Sequence, residues 1–141
     1  MTPMRDFKQV GTRGFYQPTG EVTFDEGADG VAAAIAHARR LGLADIVVNT
    51  LGLKYTRPSV VERYALALRV AESAGGQLRV AFVAPADYID FQKIGAVMAQ
   101  NRGAISDTFA TEAEALRWLD ARRPPAGEKA GAPADPAARS D

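Results

Sequence analysis

The 141-residue sequence contains no cysteine, which excludes disulfides, thiolate nucleophiles and cysteine-ligated zinc. It has a single histidine, His37, so sites built from several imidazoles are excluded too. Net charge is also missing. Seventeen Lys and Arg balance seventeen Asp and Glu, leaving no overall positive field to hold a nucleic-acid backbone or an anionic membrane. No apolar run approaches the roughly 20 residues of a membrane span, and the first 14 residues lack the apolar stretch of a secretory signal. The phosphate-cradling patterns G-x-G-x-x-G and G-x-x-x-x-G-K-[ST] do not occur. A cytoplasmic protein that uses no metal and no cofactor is the expectation. What remains is 47% hydrophobic and 24% charged, a mix that buries enough apolar surface to offset the entropy of ordering.

Composition breaks after Asp120. The following stretch is crowded with Pro, Ala and Gly and has no large aliphatic or aromatic side chain. The expected division is a folded domain over 1–122 and a disordered Pro/Ala/Gly-rich tail over 123–141.

Three helix starts share one device, a Thr or Ser followed three residues later by Glu, whose side chains satisfy orphan backbone N–H groups of the first turn. It occurs at Thr23/Glu26, Ser59/Glu62 and Thr111/Glu114. After the first, Val31, Ala34, Ile35 and Ala38 share a helical face and Gly42 is a stop. After the second, Val61, Ala65, Leu68 and Ala71 are the expected inner face, ending at Gly75-Gly76. After the third, Ala115, Leu116 and Leu119 play that part. A fourth helix is expected from Ile89 to Asn101, with Phe91, Ile94, Gly95 and Met98 on one side.

Between the helices lie runs of strand length: Asp45 to Asn49, Leu78 to Ala84 and the alternating Ile105 to Phe109. Arg5 to Val10 and Phe15 to Thr19, separated by Gly11-Thr-Arg-Gly14, read as an N-terminal hairpin. Strands alternating with helices require crossovers, hence an α/β fold with a mostly parallel central sheet of about five strands and about four helices.

Most residues that could carry chemistry have a structural explanation. The Gly11-x-x-Gly14 spacing matches a nucleic-acid clamp, but such clamps join helices, and strand-like flanks make this a turn. His37 lies in the last turn of a helix beside Arg39 and Arg40, where positive charge suits the dipole, and reads as an exposed or capping side chain. Asp25-Glu26 and Asp87 with Asp90 sit at helix starts, where acids complement the dipole. Trp118 reads as a packing anchor, and Tyr55 and Tyr64 as core-edge side chains.

One loop is chemically pointed. Residues 50–58 leave the C-terminal end of a central strand and enter a helix, the place where ligands and modifications gather in open α/β folds. Lys54 and Arg57 bring positive charge there, Tyr55 and Thr56 add an aromatic and a hydroxyl, and Ser59 stands at the N-cap. Ser59 is either a capping serine alone or a modification site on a helix N-terminus.

Element order and that loop together resemble STAS domains, the fold of sulfate-transporter tails and anti-sigma-factor antagonists. The likeness is nearest to the SpoIIAA-like (STAS/SEC14-type) bacterial proteins and covers about residues 10–120. The run from Phe109 to Leu119, with its acidic Glu-Ala-Leu-Arg-Trp-Leu helix, is similar to the closing strand and helix of that set. The stretch Phe91 to Gly103 is similar to the segment before it. The resemblance implies a STAS-like sandwich and, on the antagonist side, a phosphoacceptor serine at the start of the second helix, a position on which Ser59 falls. Around it, Arg57 stands in place of an acid, Pro58 in place of a small polar residue and Val60 in place of glycine.

Two functions follow. The first is a non-enzymatic signalling or interaction module that binds a protein partner and is gated at Ser59. The second is a small-ligand binder, for a lipid or nucleotide, with a pocket around the 50–58 loop, Tyr55 and the helix from Ile89. An enzyme ranks third, since no nucleophile–base pair is visible. An enclosed apolar pocket of several hundred Å3 would favour the ligand binder, and an open surface around Ser59 the partner binder.

Overall fold

A computed structural model describes residues 4–56, 58–86 and 105–122. Its strands are β1 (Phe7–Val10), β2 (Arg13–Tyr16), β3 (Gly20–Glu21), β4 (Asp45–Asn49), β5 (Leu53–Lys54), β6 (Arg79–Val83) and β7 (Ile105–Phe109). Its helices are α1 (Phe24–Arg40), α2 (Val60–Ala74) and α3 (Glu112–Arg122). The main sheet has the order β1-β2-β4-β6-β7. Only β1 is antiparallel to its neighbour; β2, β4, β6 and β7 run parallel. The sheet is therefore mixed, with parallel strands through its centre. Three helices fall among the described residues, and the fourth expected helix, from Ile89 to Asn101, lies outside them.

The hairpin is tighter than its composition suggests. Val10 pairs with Arg13, so the turn is Gly11-Thr12 alone, and β2 begins at Arg13 rather than Phe15. Gly11 supplies the positive φ of +60° that a two-residue turn needs at its first central position. Gly14 is then a strand residue. A Cβ there would stand 2.9 Å from the Phe7 ring, so its absence lets Phe7 lie across the hairpin.

Alternation along the strands separates two cores. Tyr16, Ile46, Val48 and Val80 of the sheet point to one face, against Ile35, Ala38, Ala67, Val70 and Ala74 of the layer formed by α1 and α2. Val47, Ala81 and Val83 point to the other, where Ala115 and Leu119 of α3 cover them. All five residues of β4 are buried. The result is a sandwich with helices on both faces.

Four side-chain expectations need correction or refinement. The inner face of α2 is Ala67, Val70, Ala71 and Ala74; of the expected Val61, Ala65, Leu68 and Ala71 only Ala71 is buried, and Val61 is 76% exposed. Contact with α1 selects the first stripe, and the helix is apolar enough to offer both. His37 is not solvated: its half-buried ring packs edge-to-face on Phe7, centroids 4.7 Å apart. Trp118 packs as anticipated, against Phe109 at 5.6 Å, but is only half-buried. Tyr64 is 40% exposed.

At the N-terminal edge of the parallel strands lies an ion cluster that no motif announced. Arg13 Nε donates to Asp45 Oδ1 at 2.8 Å and Arg13 Nη2 to Asp120 Oδ1 at 2.8 Å, while Arg79 Nη2 lies 3.8 Å from Asp45 Oδ2. Asp45 is fully buried. Burial acts to lower the Arg13 pKa, but its hydrogen bonds to the two carboxylates outweigh that, and the net shift is upward. The cluster ties the hairpin and α3 to β4. Among the described residues, no helix is long and apolar enough to cross a membrane.

Candidate functional site

The site lies at the other end of the parallel strands. There β4 ends in Asn49, and the chain passes through residues 50–58 into α2. Thr50 fixes the exit, its amide and its Oγ1 both donating to the Val83 carbonyl at 2.9 Å. Asn49 Oδ1 accepts from the Leu51 amide at 3.0 Å, and Asn49 Nδ2 donates to Glu112 Oε1 at 3.1 Å, joining the loop root to the start of α3. A second, two-stranded sheet holds the middle of the loop, with β5 parallel to β3. Gly20 N donates to Gly52 O, and Val22 N to Lys54 O, both at 3.0 Å. Gly52 is needed there: a Cβ would stand 2.8 Å from Thr19 Cγ2 and 3.2 Å from the Pro18 carbonyl.

Ser59 is the N-cap of α2. Its Oγ accepts from the Glu62 amide at 3.1 Å, and Glu62 Oε1 accepts from the Ser59 amide at 2.9 Å. Thr23 and Glu26 repeat the arrangement on α1, at 3.1 and 2.9 Å. Both helices follow parallel strands and pack on one another, so their N-termini open onto the same end of the molecule. An open groove of about 400 Å3 lies between them, lined by Glu21, Val22, Thr23, Phe24, Glu26, Thr56 and Glu62.

The sequence-derived site residues are distributed unevenly around this groove. Thr56 lines it, and Ser59 is exposed at the α2 cap beside it. Lys54 is exposed on β5, opposite Glu21 of β3. Tyr55 turns the other way, its ring 6.2 Å from that of Phe24, and lines a small apolar cavity with Ala28, Leu53, Leu66 and Phe82. That cavity holds about 40 Å3, far below the several hundred Å3 of small-molecule sites. Arg57 lies outside the described residues. Next to Ser59, Val60 is 60% and Val61 76% exposed, and Leu51 in the loop is 48% exposed.

Sequence reasoning found both capping boxes but not their juxtaposition, and so missed Glu21, Glu26 and Glu62 as one lining. The signal was available, because helices that follow adjacent parallel strands start at the same sheet edge.

No protein-family model and no curated protein matches the sequence. Among solved structures, the chain is similar to the NMR structure of the protein TM1081, with a TM-score of 0.52 and 15% identity, over 87% of this chain and 93% of that one. It is also similar to the Bacillus cell fate determinant SpoIIAA in its phosphorylated form, with a TM-score of 0.45 and 17% identity, over 80% of this chain and 96% of that one. At such identities, the likeness to TM1081 speaks for the fold alone. The fold it shares with that protein is α/β, as the alternation of strands and helices implied.

Proposed function

We propose that this protein is a non-enzymatic interaction module of STAS type, which binds a protein partner through the exposed start of α2 and the loop before it. The observation that carries this is the pair Val60 and Val61, aliphatic and largely exposed beside Ser59. An open surface of that kind suits a protein partner, whereas a cavity of about 40 Å3 does not favour a lipid or a nucleotide. Ser59 is the candidate gate. A phosphoryl group on its Oγ would bring roughly 1.5 to 2 negative charges next to the Glu62 carboxylate. It would open the capping box and alter the docking surface while leaving the core untouched. Lys54, Tyr55, Thr56 and Arg57 flank that surface in sequence.

Affinity capture from the native host, quantified by mass spectrometry, tests this reading. Val61→Asp should lose the captured partner with an unchanged thermal midpoint, and phosphopeptides spanning Ser59 should be found in protein from that host. Capture by Val61→Asp equal to that by the unsubstituted protein would place the interface elsewhere.

A further inference from the structure

Valine is a poor choice for an exposed helix position, because its branched side chain loses rotamer freedom without burial to compensate. Here two stand in succession at the start of α2. They directly precede Glu62, which lines a groove whose charged side chains are acidic. Its charged lining residues are Glu21, Glu26 and Glu62, the last two on the helix caps, and Lys54, opposite Glu21 across the β3–β5 pair, is not among the lining residues. Both cap carboxylates are held: Oε1 accepts from the amide of Thr23 or Ser59, and no hydrogen bond or ion pair among the described residues engages Oε2. A carboxylate already fixed by its own backbone loses little further freedom on pairing with a cation. The same bonds occupy one first-turn amide of each helix and place a carboxylate beside it, which weakens the pull of these N-termini on anions.

We propose that this end of the molecule docks a basic segment with aliphatic anchors, Lys or Arg entering the groove against Glu26 and Glu62 while one or two apolar side chains cover Val60 and Val61. The inference rests on the partner-binding reading above and adds the partner's chemistry. Charge complementarity decides the occupant: an acidic segment would meet two carboxylates that cannot swing away without breaking both capping boxes.

The test uses three labelled peptides of equal length on the full chain: one alternating Lys and Val, its Glu/Val counterpart, and a Lys/Ser version without apolar anchors. Binding is read by fluorescence anisotropy and mapped by amide shifts. The Lys/Val probe should bind about tenfold more tightly than either of the others, with shifts at residues 60–62 and 24–26. Its affinity should fall several-fold between about 0.1 M and about 1 M salt, where the Debye length drops from roughly 10 to roughly 3 Å. The double variant Glu26→Gln/Glu62→Gln keeps both capping boxes, because Gln serves at that position, and should lose the same several-fold affinity while remaining folded, with only the small drop in thermal midpoint that losing two first-turn charges brings. Equal binding of the Glu/Val probe, shifts confined to another surface, or full affinity in the double Gln variant overturns the inference. If Val60→Ser/Val61→Ser abolishes binding while the Gln variant leaves it intact, the partner-binding surface stands and the basic occupant falls. If neither pair matters, both readings fail.

Discussion

A single buried carboxylate organises one end of this protein. Asp45 is fully enclosed and faces two guanidinium groups, those of Arg13 and Arg79. Removing its charge would leave Arg13 buried against a neutral partner, a change that costs about 3–5 kcal/mol in comparable buried pairs. Asp45→Asn should therefore lower the unfolding free energy by that amount in urea titration. Asp120 bonds the same arginine but is 63% exposed, so Asp120→Asn should cost no more than about 1 kcal/mol. Equal losses in the two variants would show that Asp45 does not dominate the cluster. Neither pairing was legible in the sequence, since Arg13 and Asp45 lie 32 residues apart and no local pattern links the first residue of one strand to the first residue of a later one.

Helix boundaries, by contrast, were written locally. Thr23, Ser59 and Thr111 each accept a hydrogen bond from the backbone amide three residues on, and Gly75 closes α2 in the left-handed conformation. Such caps use only neighbouring residues, which is why they could be read without the fold. β4 was legible for a related reason, as a continuous apolar strand buried on both faces. The orientation of α2 was not legible. Ala, Val and Leu recur around most of its circumference, and only the contact with α1 decides that Ala67, Val70 and Ala74 turn inward. β3 and β5, two residues each, are too short to leave a periodic trace. The α2 cap makes its own prediction. Ser59→Ala should cost about 1 kcal/mol, whereas Ser59→Asp keeps an acceptor for the Glu62 amide and suits the helix dipole. Denaturant midpoints should separate the two, and an Asp variant as unstable as the Ala variant would mean that repulsion from Glu62 outweighs the cap.

For the molecule as a whole, alkaline stability reports on the packing of the sheet against α1. Tyr16 is buried on β2, its hydroxyl lying against Gly30, where a Cβ would come within 2.5 Å of it. Burial, aided by the Asp6 carboxylate, raises the phenol pKa above its ordinary value of 10.0. A raised folded pKa contributes stability that is complete below the unfolded value and lost as pH climbs through the folded one. The protein should thus lose stability above about pH 10 more steeply than Tyr16→Phe does, measured as denaturant midpoints across that range. Parallel curves would place the hydroxyl in water. The layout of β4 has a further consequence. Its first residue belongs to the buried ion cluster and its last to the root of the 50–58 loop, four residues on and roughly 13 Å away at about 3.3 Å per residue. The two ends of one strand therefore answer to different demands. The exposed side chains at Lys54, Thr56, Val60 and Val61 can be exchanged, by drift or by an engineer, and on the proposed reading that alters partner choice while Thr50, Gly52, Arg13 and Asp45 keep the scaffold constant.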